Sequence, residues 1–106
     1  MNTNRHDKIE ELVREVAAEF LAREANRNTL ITVTRAMVSE DMKRATIYIT
    51  AFPESGEQPA VEFANRNRTE LRDFYKKRVR GNMPPDIKFE IDMGEKNRLR
   101  LDELSN

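Results

Sequence analysis

The sequence predicts an α+β domain in which helices cover one face of a small sheet. A helical stripe of apolar residues opens the chain, two segments with alternating apolar residues follow it, and a long helical stretch precedes a third alternating segment. A strand, a helical crossover and a further strand favour helices packed on one side of a sheet. The 106 residues suit one domain, so we expect a single domain over 1–106, with a core at 5–94 and a short tail at 95–106.

The first predicted element is an amphipathic helix. From Ile9 to Leu21 the apolar residues recur at intervals of three and four, which places them on one face over about five turns. The polar segment 26–29 is expected to end the helix. Its apolar face must pack against another layer of the domain.

Two strands joined by a polar turn are predicted next. Apolar residues alternate with polar ones over 31–34 and again over 45–50, and the turn lies at 39–42. The first strand loses its alternation, because Arg35 falls where an apolar residue should be. Either a β-bulge at 34–36 restores the phase, or this is an edge strand with both faces partly exposed.

A long helical stretch is expected to begin at Pro59 and to end at Gly81, ahead of two prolines. Its apolar stripe fails at Asn67 and Arg68, which predicts a break within 65–69. A third strand is predicted over 87–91 by alternation of apolar and charged residues. The final leucines suggest only a short turn or loosely packed tail.

Composition excludes several classes of function. The chain has no cysteine, so a cysteine nucleophile and a thiolate metal site are excluded. A serine nucleophile with a histidine base is nearly excluded, because the single histidine lies near the N-terminus. Its three glycines are isolated, so no glycine-rich phosphate loop is present. We expect no enzyme activity, no cofactor and no metal. The absence of a signal-like or spanning apolar run and of cysteine favours a soluble cytoplasmic protein.

The charges balance overall but not locally. The chain has 19 basic and 19 acidic residues, yet residues 66–82 carry seven basic and two acidic ones. Four of the basic residues are spaced by four, so each lies about 40° further round a helix than the last and the row forms a stripe. This row consists of Arg68, Arg72, Lys76 and Arg80.

Such a stripe can follow a phosphate backbone, or it can be an ordinary solvated helix face. We expect it to be a free surface whose charges can be reversed without disturbing the fold. Together with basic residues of the hairpin it forms the predicted RNA-binding set, which is Arg66, Asn67, Arg68, Arg72, Lys76, Lys77, Arg80, Arg35, Lys43 and Arg44. Tyr48, on the polar face of its strand, could stack on a base, although exposed strand tyrosines are common.

Two runs of the sequence resemble the ribosome-binding factor A family. The first is the hairpin run ITVTRAMVSEDMKRATIYIT, and the second is MPPDIKFEIDMGEKNRL near the end of the chain. The order and separation of the runs match, and the resemblance covers nearly the whole chain. It departs from the family at 65–69, where Asn65-Arg66-Asn67-Arg68-Thr69 replaces an Ala-x-Gly kink, and in an acidic rather than basic C-terminal segment.

The resemblance implies a KH-like fold of type II topology, with a three-stranded sheet and a helix-kink-helix unit. It also implies a non-enzymatic assembly factor that binds the small ribosomal subunit, contacts its rRNA and acts in late maturation. We expect a monomer with no membrane or small-molecule partner. Two alternatives remain at this stage: a generic KH-like module for single-stranded RNA, and a protein-interaction domain whose basic stripe meets an acidic partner.

Overall fold

A computed structural model describes residues 5–24 and 28–105 of the chain. Four helices and three strands are present in these ranges, with a short 3₁₀ turn at Glu54–Gly56 after the second strand. In chain order they are α1 Arg5–Glu24, β1 Leu30–Val38, β2 Arg44–Phe52, α2 Glu57–Arg66, α3 Arg68–Arg78, β3 Asp86–Ile91 and α4 Met93–Ser105. Of the predicted end of the first helix at 26–29, positions 26 and 27 lie outside the described residues.

The three strands form one sheet in the order β1-β2-β3. β1 and β2 pair antiparallel as a hairpin, whereas β2 and β3 pair parallel. The parallel pairing requires a crossover, which α2 and α3 supply. This arrangement confirms the predicted α+β, KH-like architecture with a three-stranded sheet.

The core lies between α1, α2, α3 and the inner face of the sheet. The predicted core residues Val33, Ile47 and Ile49 are buried there, and Ile31 is partly buried against the same cluster. The helical stripe of α1 supplies one side of the core, with Val13, Val16, Ala17, Phe20 and Leu21 buried. Each large apolar side chain buried here contributes about 1.5–3 kcal/mol to the free energy of folding.

The predicted β-bulge lies at Thr34. The pairing register passes from Val33–Ile49 directly to Arg35–Tyr48, which leaves Thr34 without a partner on β2. The extra residue restores the alternation, so that Ala36 and Val38 are buried although they fall out of phase with Val33. The bulge also aims the Thr34 hydroxyl at the end of β3.

Asp92, just after β3, joins three elements. Its Oδ2 accepts a hydrogen bond of 2.5 Å from the Thr34 hydroxyl and lies 3.5 Å from Nε of Arg35. Its Oδ1 accepts a bond of 3.0 Å from the backbone N–H of Glu95 in the first turn of α4. Burial alone would raise the pKa of this carboxyl, but these hydrogen bonds and Arg35 outweigh it and hold the pKa below its ordinary value.

Two boundaries differ from the sequence-based expectations. The crossover begins at Glu57, two residues before Pro59, which the first helical turn accommodates. α3 ends at Arg78, because Val79 is extended, so Arg80 lies beyond the helix. Gly81, expected to end the helix, instead adopts φ 107° in the following turn. A glycine suits this left-handed conformation.

The final segment forms a helix rather than the expected short turn or tail. α4 begins at Met93, directly after Asp92, and Lys96 on its first turns lies 2.7 Å from Glu54 and 2.9 Å from Glu57. Beyond this anchor, Leu99 and Leu101 are about half exposed or more. Apolar periodicity did not reveal this helix, because α4 buries little apolar surface. No helix in the described ranges is long and apolar enough to cross a membrane.

Replacing the Asp92 carboxylate by its neutral isostere should destabilise the domain. Because a depressed pKa stabilises the fold above the ordinary carboxyl pKa of about 3.9, we expect Asp92→Asn to lower the free energy of unfolding by about 1–3 kcal/mol at neutral pH. The difference should shrink as acid protonates the native carboxyl. Urea unfolding from neutral to acid pH measures it.

Asp86→Asn is the control for this experiment, because Asp86 is an exposed carboxylate at the start of β3, whereas Asp92 follows its end. We expect it to change the free energy of unfolding by less than about 0.5 kcal/mol. Equal effects of the two variants at every pH would contradict the role given to Asp92.

Candidate nucleic-acid interface

β3 lies at an edge of the sheet, so half of its backbone groups face away from β2. The N–H groups of Asp86 and Asp92 donate to β2 and its turn, at Lys43 and Ile49. Because pairing directions alternate along a strand, Ile87 and Phe89 present their backbone groups to the outer edge. Their side chains point into the core, where both are buried. These outward polar groups need partners within the fold.

Side chains from the crossover helices supply partners for the Ile87 carbonyl and for both backbone groups of Phe89. Asn65 makes a two-way contact, since its Oδ1 accepts a bond of 3.0 Å from the Phe89 N–H and its Nδ2 lies 3.4 Å from the Phe89 carbonyl. Arg68 donates to the Ile87 carbonyl at 3.1 Å, and Arg72 donates to the Pro85 carbonyl at 2.6 Å. We call Asn65, Arg68 and Arg72 the edge ladder.

The spacing of the edge ladder fits the strand. Successive outward residues of β3 are about 6.6 Å apart, since each strand residue rises about 3.3 Å. Steps of three and four residues along the helices cover about 4.5 and 6 Å, and the long arginine side chains bridge the remainder. This explains why the apolar stripe of the crossover fails at Arg68, whose side chain faces a strand edge rather than the core.

The predicted break between the helices is confirmed and occurs without glycine. Asn67 separates α2 from α3 with φ −106° and ψ 24°, which lies outside the helical region without requiring a positive φ. Its N–H donates to the Ala64 carbonyl, its side chain donates to the Phe63 carbonyl at 2.8 Å, and its own carbonyl accepts from Leu71. Asn67 therefore fixes the kink, and its side-chain amide already donates a hydrogen bond within the fold.

The predicted basic stripe is only partly a free surface. Arg68 and Arg72 donate to backbone carbonyls, and Nε of Arg72 is buried, so the expectation of a free row is wrong for these two. Arg80 leaves the row because α3 ends before it. Arg78 is also engaged, since it pairs with Glu19 at 3.1 Å and stacks 3.6 Å from the Phe74 ring centre.

Other basic residues of the segment remain exposed. Lys76 and Lys77 lie on the last turn of α3, and Arg80 follows it. Arg66 is exposed beside the kink. Across the described part of the chain, none of these four side chains has an ion pair with a carboxylate. Their charges are available to a partner.

The hairpin turn brings two further cations to the same end of the molecule. The Lys43 carbonyl accepts a hydrogen bond of 3.1 Å from the Asp86 N–H, which fixes the turn beside the start of β3. Within the turn, a hydrogen bond from Ser39 and one from the Lys43 N–H lower the pKa of the Asp41 carboxyl. Lys43 and Arg44 are exposed there.

Three shallow grooves meet around the start of β3. One contains Arg44 and Asp86, the next contains Asp86 and Arg72, and the third contains Arg72 and Lys76. The structure therefore brings hairpin and α3 cations together, which chain order alone does not show. We call Lys43, Arg44, Lys76, Lys77 and Arg80 the basic end.

Arg35 is not part of the basic end. It lies near the other end of β3, where its guanidinium contacts Asp92 and covers the Tyr48 ring at 4.3 Å from the ring centre. The Tyr48 face that could have stacked on a base is therefore occupied. Asn65, in contrast, was not among the predicted site residues. Its spacing of three and seven from the two arginines was the only available signal.

Comparisons with known proteins agree on one family. The family model described as ribosome-binding factor A matches residues 5–105. A ribosome-binding factor A from Methylobacterium nodulans is 35% identical over 107 residues, covering 96% of this chain and 79% of that protein.

Two solved structures are similar in fold. The crystal structure of ribosome-binding factor A from Thermus thermophilus has a TM-score of 0.72 at 24% identity, covering 83% of this chain and 97% of that one. A Thermus thermophilus homology model, fitted into the cryo-EM map of a complex of the 30S subunit with this factor, has a TM-score of 0.67 at 25% identity. It covers 78% of this chain and 90% of that one.

Truncating the edge ladder should destabilise the domain more than truncating a neighbouring surface residue. Asn65→Ala leaves the outward groups of Phe89 without their partner, so we expect the free energy of unfolding to fall by about 1–3 kcal/mol. Gln58→Ala on the exposed face of α2 should change it by less than about 0.5 kcal/mol. Urea unfolding of both variants provides the comparison, and equal stabilities would show that the ladder contributes nothing.

Proposed function

The chain belongs to the ribosome-binding factor A family, and we propose that it binds the small ribosomal subunit through rRNA phosphates during late maturation. The observation that carries this proposal is the basic end, where Arg44 of the hairpin and Lys76 of α3 line grooves that meet beside the start of β3. The Lys43 carbonyl accepts the Asp86 N–H at the same place. A structural neighbour was fitted into a map of a 30S complex, which supports the same partner.

The chemistry of the basic end suits contacts to phosphate. Lysine and arginine side chains neutralise phosphates and release counterions, which gives affinity that depends on salt and little on base sequence. We propose all five residues of the basic end as contacts, with Arg66 beside the kink as a sixth. Arg68 and Arg72 add positive potential nearby, but their donors are partly committed to β3.

Two further residues of the predicted RNA-binding set are not proposed as contacts. Asn67 holds the kink through the Phe63 carbonyl, and Arg35 is paired with Asp92. We propose that the protein acts by binding alone and catalyses no reaction. A factor of this kind needs reversible affinity, and phosphate contacts at an exposed surface supply it because they weaken as salt rises.

Reversing two charges of the basic end should remove subunit binding and leave the fold intact. We expect Lys76→Glu/Lys77→Glu to weaken binding by more than about tenfold at fixed salt, because attraction to phosphate becomes repulsion. The slope of log affinity against log salt should fall by about 1.4–1.8 for two lost contacts. Cosedimentation of the purified protein with small subunits over a range of salt concentrations measures both quantities.

A control with the same change in charge distinguishes the loss of specific contacts from the effect of net charge. Arg98→Glu/Arg100→Glu also replaces two cations, both on α4, at the other end of β3. It should retain binding, and both double variants should unfold within about 0.5 kcal/mol of the parent. If both variants lose binding equally, the effect is net charge; if neither does, the basic end is not the contact surface.

A further inference from the structure

We infer that the end of the sheet opposite the basic end is a second contact surface, which takes a segment of a small-subunit protein that carries apolar and basic side chains. The inference rests on the proposed function and adds a protein contact to the rRNA contact. Three exposed apolar side chains mark this surface, which we call the apolar end: Leu30, Phe52 and Met93.

Leu30 and Phe52 form an exposed apolar pair at the open end of the hairpin. They lie opposite each other in the antiparallel ladder, and they are 68% and 73% exposed. Their neighbours Ile31 and Ala51 pack against the core, so the pair projects from the open face of the sheet. Directly opposed residues of two strands have Cβ atoms about 4.5–5.5 Å apart. Two large apolar side chains are therefore presented to solvent side by side.

Met93 adds a third apolar side chain at the same end. β3 is parallel to β2 and is paired with it up to Ile91, so both strands finish here, and α4 begins here with Met93. Lys96, one turn further along α4, lies 2.7 Å from Glu54, which closely follows Phe52. This contact fixes the first turn of α4 beside the end of β2, and Met93 remains 54% exposed.

The apolar end is too small for a stable dimer but large enough to assist a contact made elsewhere. Since a large aromatic side chain has about 150–250 Å² of surface, the three side chains together present roughly 300 Å² of apolar area. An interface that is stable by itself buries about 800 Å² on each partner. A weak second contact becomes effective when the first contact holds the two partners together at high effective concentration. The basic end supplies that first contact.

The charges around the apolar end favour protein over RNA. Residues 45–65, which include the end of β2 and the start of α2, contain three acidic residues and no basic one. Two cations at this end are engaged within the fold, since Lys96 pairs with Glu54 and Glu57 and Arg35 pairs with Asp92. Phosphates therefore find repulsion here rather than attraction.

A protein segment complements both features of the apolar end. Its apolar side chains would cover the exposed ones, and its lysine or arginine side chains would face the acidic segment. A ribosomal subunit consists of RNA and protein, so a subunit held by its phosphates at the basic end presents its proteins as the only apolar partners. The occupant is therefore a protein of the small subunit.

Photocrosslinking on purified small subunits tests what the apolar end contacts. The full chain carries p-benzoylphenylalanine at position 52, or at position 76 as the matched probe of the basic end. The probe at position 52 should crosslink to a subunit protein, in a product that resists nuclease and yields a peptide with apolar side chains beside lysine or arginine. The probe at position 76 should crosslink to rRNA, in a product that nuclease shortens.

The other outcomes are equally informative. Crosslinking of position 52 to rRNA, or no crosslink at position 52 beside a normal product at position 76, would overturn the inference and leave the proposed function in place. Failure of the unmodified chain to bind subunits would instead remove the proposed function. Sedimentation equilibrium of the free chain should show a monomer. A dimer that Phe52→Ser disperses would assign the surface to a second copy and would also overturn the inference.

Phe52→Ser distinguishes the two contacts by their salt dependence. We expect affinity for purified small subunits to fall at least about fivefold at fixed salt, because an apolar contact is lost. The slope of log affinity against log salt should stay unchanged, because no phosphate contact is lost. A reduced slope would show that the apolar end contacts phosphate and would overturn the inference.

Met37→Ser is the control, because Met37 is an exposed apolar residue on the same face of the sheet but near the hairpin turn. It should bind subunits like the parent. Equal losses of affinity in the two variants would contradict the role of the apolar end. Urea unfolding checks that both variants fold, and if Phe52→Ser does not, the crosslink at position 52 decides the question alone.

Discussion

The outer edge of β3 is the constraint on which the rest of this structure depends. β3 must be parallel to β2 and bury Ile87 and Phe89, yet within the described residues no fourth strand pairs with its other side. Exposed strand edges are templates for unwanted pairing, and buried unpaired backbone groups are costly. The crossover helices meet both demands with the side chains of Asn65, Arg68 and Arg72. The kink at Asn67 lies between the first two of these residues.

Both ends of β3 are fixed by the hairpin. At its start, the Asp86 N–H donates to the turn through the Lys43 carbonyl; at its end, Asp92 accepts from the bulge through Thr34. The second contact also starts α4, because the same carboxylate accepts the Glu95 N–H. The hairpin thus forms one side of the core. Its contacts to both ends of β3 also place the basic end at one end of that strand and α4 at the other.

Periodicity predicted most elements, because burial on one side leaves a readable pattern in α1, in both hairpin strands and in β3. It located the bulge and the kink for the same reason, since each interrupts that pattern. Periodicity failed for segments that are positioned by polar contacts rather than by burial of an apolar face. α4 is held by Asp92 and by Lys96 rather than by an apolar face. The engagement of Arg68 and Arg72 depends on contacts distant in sequence, which a spacing of four residues does not reveal.

The two kinds of basic residue in segment 66–82 divide structural from available charge. The three with internal partners are the arginines Arg68, Arg72 and Arg78. Both lysines remain exposed, together with Arg66 and Arg80. A planar guanidinium presents several donors at once and is weakly hydrated, so it can satisfy a carbonyl or carboxylate and still pack against apolar surface. A lysine ammonium keeps its hydration and offers a point charge. Because arginines make the internal contacts, the lysines, with Arg66 and Arg80, remain available to bind and release an anionic partner. An Arg72→Lys exchange would weaken the first task, and a Lys76→Arg exchange would preserve the second.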